Sequence, residues 1–124
     1  MTARILIADD EANIVVSLEY MMRREGYEVS VARDGTQALE AIRREQPDLV
    51  LLDAMMPGMS GFDVCQAVRA IDALRSTKIL MVTAKGRDTD HARGLGVGAD
   101  AYLTKPFSTK QLLSIVRELL EPSP

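Results

Sequence analysis

Arg4-Ile5-Leu6-Ile7-Ala8-Asp9-Asp10 and Leu49-Val50-Leu51-Leu52-Asp53 decide the fold. Each is an apolar run that stops on carboxylates. Continuous apolar runs are what strands show when helices cover both faces of a parallel sheet. A third run, Tyr102-Leu103-Thr104-Lys105, ends on a lysine just before Pro106. Charges therefore sit where strands stop. In an open parallel sheet those stops share one edge, and that edge is where such sheets bind ligands.

Outward from these runs, strands alternate with helical patterns. The strand over 4–8 is followed by a helix over 12–25, with Ile14, Val15, Leu18, Met21 and Met22 at helical spacing, ending at Gly26. Strand character over 27–32 precedes a helix over 36–45, with Ala38, Leu39 and Ile42 inward. Pro47 leads into the strand at 49–52. Pro57, Gly58, Ser60 and Gly61 mark a loop. A helix over 62–71 carries Phe62, Val64, Cys65, Val68 and Ile71, and a strand follows at 78–82. A fourth helix is expected over 88–95, weakened by Gly94, Gly96 and Gly98. A short strand at 101–103 precedes a fifth helix capped by Ser108, running through Leu112, Leu113, Ile115, Val116, Leu119 and Leu120 to Pro122. This order is α/β with a five-stranded parallel sheet and helices on both faces.

Composition narrows the function classes. The 124 residues suit one domain, and a 47% hydrophobic content supplies a core. A net charge of -3 gives no basic field for nucleic acid. A single cysteine rules out an internal disulfide, which suits a reducing compartment. No stretch approaches the length of a membrane span, and the start lacks a signal-peptide pattern. The expectation is a soluble cytoplasmic domain over 3–121, with 122–124 as a tail or the start of a linker.

If the first and third strands are neighbours, Asp9, Asp10 and Asp53 converge. Two like charges about 4 Å apart repel by roughly 4 kcal/mol at an effective dielectric near 20. A hard divalent cation removes that penalty, and oxygen-only ligands favour Mg²⁺, with Mn²⁺ as a substitute, over zinc or copper. Taken alone, Asp9-Asp10 reads equally as a cap for the helix starting near Ala12. A cap leaves Asp53 unexplained, so the joint pattern favours the ion site.

These pieces resemble the receiver domain of bacterial two-component response regulators, the CheY-like superfamily. The match covers 3–120: Asp9-Asp10 after strand one, Asp53-Ala54-Met55-Met56-Pro57-Gly58-Met59-Ser60-Gly61, Thr83-Ala84 after strand four, and Tyr102-Leu103-Thr104-Lys105-Pro106-Phe107. Each piece alone is weak; four in order at strand ends are specific. The resemblance implies sheet order 2-1-3-4-5, the known order of this family and of flavodoxin.

The resemblance also implies chemistry. Asp53 is the phosphoryl acceptor, a carboxylate nucleophile of an established kind. The metal is Mg²⁺, held by Asp10, Asp53 and the backbone carbonyl of Met55, with Asp9 acting through water. Lys105 and Thr83 each contact a phosphoryl oxygen, and a cis Lys105–Pro106 bond aims the lysine inward. Thr83 and Tyr102 form the switch. In isolation, Thr83 reads as a β-branched strand end, Lys105 as a solvated lysine and Tyr102 as a half-buried aromatic. Met55, Met56 and Met59 read as loop packing, Cys65 as a buried hydrophobe and His91 as an ordinary surface residue. Lys85 and Met55 flank the path of hydrolytic water, and a rate effect on dephosphorylation is expected there.

The implied function is a phosphorylation-controlled switch that catalyses only its own phosphorylation and dephosphorylation. Its donor is a sensor histidine kinase, a histidine phosphotransfer protein or a small phosphodonor. Its output goes to a partner or effector domain through the helix 4–strand 5–helix 5 face, where Arg87, Arg93, Lys110 and Arg117 add basic character. A phosphorylation-dependent dimer is also expected; direct nucleic-acid binding by this domain and membrane binding are not. Two other classes share the architecture. An aspartyl phosphatase needs a second acid two residues after the nucleophile, where Met55 stands. A flavin carrier needs a phosphate-binding loop after strand one, where Asp9-Asp10-Glu11 would repel the phosphate.

Overall fold

A computed structural model describes residues 2–84 and 96–121. Five strands, β1 (Arg4–Ala8), β2 (Glu28–Ala32), β3 (Leu49–Asp53), β4 (Lys78–Ala84) and β5 (Ala101–Lys105), form one sheet in the order β2-β1-β3-β4-β5. All neighbours run parallel. The expected class and strand order are both observed.

The sheet carries two cores because successive side chains of a strand point to opposite faces. On one face Leu6, Val50, Leu52, Ile79 and Met81 pack with Ala38, Ile42, Phe62, Val64 and Val68 from α2 (Gly35–Glu45) and α3 (Gly61–Arg69). On the other, Ile5, Ile7, Leu49, Leu51, Leu80 and Val82 meet Val15, Leu18 and Met22 of α1 (Ala12–Arg24) and Leu112 and Val116 of the C-terminal helix (Thr109–Leu120). The alternation is invisible in β1 and β3 as sequence, since both sets of residues are apolar.

Local signals set most helix starts. Asp34 accepts the Gln37 amide ahead of α2, and Ser108 accepts the Gln111 amide ahead of the C-terminal helix. Ser60 and Asp63 form a reciprocal capping box on α3. Strand ends differ from the sequence expectation. β4 runs on to Ala84 and β5 to Lys105, where Thr83 pairs with Thr104 and Ala84 with Lys105. The apolar run stops earlier, but backbone pairing continues where hydrophobicity does not. The helix expected over 62–71 ends at Arg69, and a 3₁₀ turn at Asp72–Leu74 follows, which the sequence reading did not contain.

The fourth helix expected over 88–95, with Lys85, Arg87, His91 and Arg93, lies outside the described residues, as do 122–124. Among the described residues, no helix is long and apolar enough to cross a membrane.

Candidate functional site

Register brings the acids together. Ala8 of β1 pairs with Leu52 of β3, so Asp9 and Asp53, the next residue of each, emerge side by side at the carboxyl edge. Asp10 follows directly. Oxygens of Asp9, Asp10 and Asp53 all lie within 4.8 Å of one another. Asp9 is 2% exposed and Asp53 7%, while Asp10 faces solvent. The cap reading of Asp9-Asp10 is not what forms: the α1 N-cap, Glu11, makes no side-chain cap bond, and Asp9 Oδ1 accepts the Glu11 amide at 2.9 Å.

Lys105 reaches into this cluster from the end of β5. Its Nζ lies 3.2 Å from Asp9 Oδ2, 3.5 Å from Glu11 Oε1 and 3.9 Å from Asp53 Oδ1. The Lys105–Pro106 peptide is cis. Burial opposes the lysine's charge, yet the attraction of Asp53, Asp9 and Glu11 together holds its pKa above the usual lysine value. Asp53 shifts further. Burial, then repulsion from Asp9, pushes its carboxyl from 3.8 up to about 7, against the pull of Lys105 and the Met55 amide. That amide lies 3.4 Å from Asp53 Oδ1. A carboxylate this reluctant to ionise marks a site short of positive charge. All the side-chain donors are oxygens, two of them buried, which fits a hard divalent cation such as Mg²⁺.

Two further residues stand beside the acids. Asp53 pairs in register with Val82, so Thr83, the next residue, sits buried just beyond it. Tyr102 pairs with Met81 and packs half-buried against the α3-side core. Strand alternation puts Thr83 and Tyr102 on that same sheet face.

Some expectations are corrected. Met56 and Met59 do pack against the core, but Met55, between the buried Ala54 and Met56, is 49% exposed. Arg117 adds no free positive charge to an output face: its guanidinium is 2.6 Å from Glu25 Oε1 at the end of α1. Cys65 is buried as expected.

Other contributors were missed. Gly61 opens α3 against the Asp53 backbone, where a Cβ would collide with the Asp53 carbonyl oxygen, and its amide donates to Ala54 O at 2.8 Å. The Ser60-x-x-Asp63 pattern announces the helix start but not this contact. Nothing in the sequence around Glu11 announces its contact with Lys105. Arg69 and Asp100, 31 residues apart, show no joint signal at all.

Residues 5–117 match the response regulator receiver domain. The chain belongs to that family. Among curated relatives, this receiver is 48% identical over 120 residues to the DNA-binding response regulator MtrA of Mycolicibacterium paratuberculosis, covering 97% of this chain and 52% of that protein. The chain thus spans about half the length of the curated relatives it matches. Solved structures agree. A CheY-like receiver domain protein from Methanospirillum hungatei superposes with a TM-score of 0.90 at 32% identity, covering 97% of this chain and 94% of that one. The Vibrio cholerae chemotaxis protein CheY4 does so with 0.89 at 33%, covering 97% and 100%. A receiver is the signalling switch of a two-component response regulator.

Proposed function

We propose that this receiver takes a phosphoryl group onto Asp53. One observation carries the proposal: Asp9, Asp10 and Asp53 converge within 4.8 Å, with the Lys105 ammonium 3.9 Å from Asp53. A carboxylate oxygen of Asp53 attacks the phosphorus of a phosphohistidine on a kinase or phosphotransfer protein. The new O–P bond forms as the N–P bond breaks, and the imidazole nitrogen keeps the electron pair. Asp10, Asp53, the Met55 carbonyl and Asp9, the last through water, would hold Mg²⁺ or Mn²⁺. When bound, the cation neutralises charge on the acids and on the transferring group. Lys105 is the fixed positive charge on a phosphoryl oxygen, and Thr83 donates its hydroxyl to another. Work of this kind is mainly positioning and electrostatic stabilisation.

The filled site then biases two states of the domain. A phosphoryl group adds about -1.5 to -2 charges and strong acceptors. Thr83 draws toward it, and Tyr102, on the same face of the neighbouring strand, moves into the space released. Output passes through the face that includes β5 and the C-terminal helix to an effector domain, a partner or a second copy. A cytoplasmic setting and the domain limits 3–121 belong to the same proposal.

The chain is incubated with acetyl phosphate and Mg²⁺ and weighed intact. An added phosphoryl mass on wild type, absent from Asp53→Ala and after chelation, is expected. No adduct, or an undiminished adduct on Asp53→Ala, overturns the proposal. Repeated turnover of a generic phosphate ester would favour a phosphatase instead.

A further inference from the structure

Lys105 leans away from the residue it is meant to serve. Its Nζ is nearer to Asp9 (3.2 Å) and Glu11 (3.5 Å) than to Asp53 (3.9 Å). Glu11 is the unusual member of this set. As the N-cap of α1 it has a capping role open to it, yet its side chain makes no cap bond and turns to the lysine instead. Its backbone is fixed there, because its amide is held by Asp9 Oδ1 at 2.9 Å. Asp9 and Glu11, the two of the three neighbouring acids that lie nearer to Lys105, are therefore tied to each other.

We propose that Glu11 is a positioning residue for Lys105, holding the ammonium off Asp53 so that an Asp53 oxygen stays open to the phosphoryl donor. The inference rests on the reading of Asp53 as acceptor. An ammonium hydrogen-bonded to the attacking oxygen would lower its nucleophilicity and block the approach line. Asp9 cannot do this work alone once a cation draws on its carboxylate. Glu11 is then the acid left to hold the lysine back. After transfer the phosphoryl oxygens outweigh Glu11, and Lys105 is close enough to cross over.

The test is a cycle of four proteins: wild type, Glu11→Gln, Lys105→Met and the double variant. Phosphorylation by acetyl phosphate is followed at saturating Mg²⁺ and at high ionic strength, where general charge effects are screened. Glu11→Gln is expected to slow the reaction about two- to fivefold, the range set by an ion pair with one exposed partner, and to have no effect in the Lys105→Met background. A crystal structure of metal-free Glu11→Gln is expected to show Nζ within hydrogen-bonding distance of Asp53. A rate that rises or stays level, a Glu11 effect that persists without Lys105, or an ammonium that keeps its wild-type separation from Asp53 overturns the inference. Wild type that takes up no phosphoryl group overturns the function instead, and the Lys105 position in the variant crystal then decides the placement on its own.

Discussion

Arg69 and Asp100 form a 2.6 Å ion pair that ties the end of α3 to the entrance of β5. The same guanidinium donates to Gly98 O and Thr77 O, both at 2.8 Å, while the Asp100 carboxylate also accepts the Ile79 amide at 2.8 Å. The loop end is thus clamped at the edge of the sheet opposite the acids. Gly98 serves the clamp: its φ is +100°, and a Cβ there would press on the Arg69 side chain.

Arg69→Ala removes three donors at once and leaves two carbonyls and a carboxylate short of partners. A loss of about 2–3 kcal/mol is expected in urea denaturation, the range for charge-assisted bonds at a mostly buried site. Arg69→Lys recovers less than half of it, because an ammonium cannot reproduce the planar fork.

Asp53→Asn stabilises the metal-free domain. The Asp53 carboxyl titrates near 7 in the fold and near 3.8 when free, so the folded state binds the extra proton. Stability therefore falls as pH rises through that window, in which Asp53 must ionise beside Asp9. The Asn variant is expected to match wild type below about pH 4 and to exceed it by about 1–2 kcal/mol above pH 7, the gain being limited by Lys105 and solvent screening. Thermal melts in chelator across that range check it. A variant that is less stable at pH 8 would contradict the charge argument.

Mg²⁺ binding should carry the same proton. Below about 7 the cation has to displace it from Asp53, so apparent affinity falls by up to about tenfold per pH unit. Above 7 the dependence flattens. The chain has no tryptophan, so calorimetry or amide shifts are the suitable readout. A binding curve indifferent to pH between 5 and 7 would separate Asp53 from the metal ligands.

Gly61→Ala strikes the support beneath the acceptor. The new methyl group meets the Asp53 carbonyl and the Ala54 Cα, backbone atoms that cannot swing aside. A cost of about 2–3 kcal/mol is expected, the scale of an overpacked core. Phosphorylation of the folded fraction should also slow, since Asp53 is displaced. Wild-type kinetics in a destabilised variant would show that Gly61 supports the fold alone.

Much of the site was legible because each member stands at the end of an apolar run. Leu49–Leu52 announces β3, and the charge after it announces the carboxyl edge. Ser108 likewise marks a helix start that forms as read, whereas Ser60, read as a loop residue, turns out to cap α3. Legibility failed where partners are distant. Nothing near Glu11 shows that Lys105 lies beside it, and nothing near Arg117 shows that Glu25 cancels its charge. The end of β4 also escaped, because Thr83 and Ala84 continue the ladder without continuing the hydrophobicity.

The amino-acid sequence by itself determined the five strands, the order in which helices follow them, and that Asp9, Asp10 and Asp53 come directly after apolar runs. Those depend on periodicity, caps and turn residues acting over a few positions. Only the tertiary structure decided how the edge charges share one another. Lys105 finds Asp9 across 96 residues, and Asp53 holds its proton to about 7 because burial and Asp9 act on it together. Coulomb energy and desolvation depend on distance and on excluded water, and the folded sheet alone sets both.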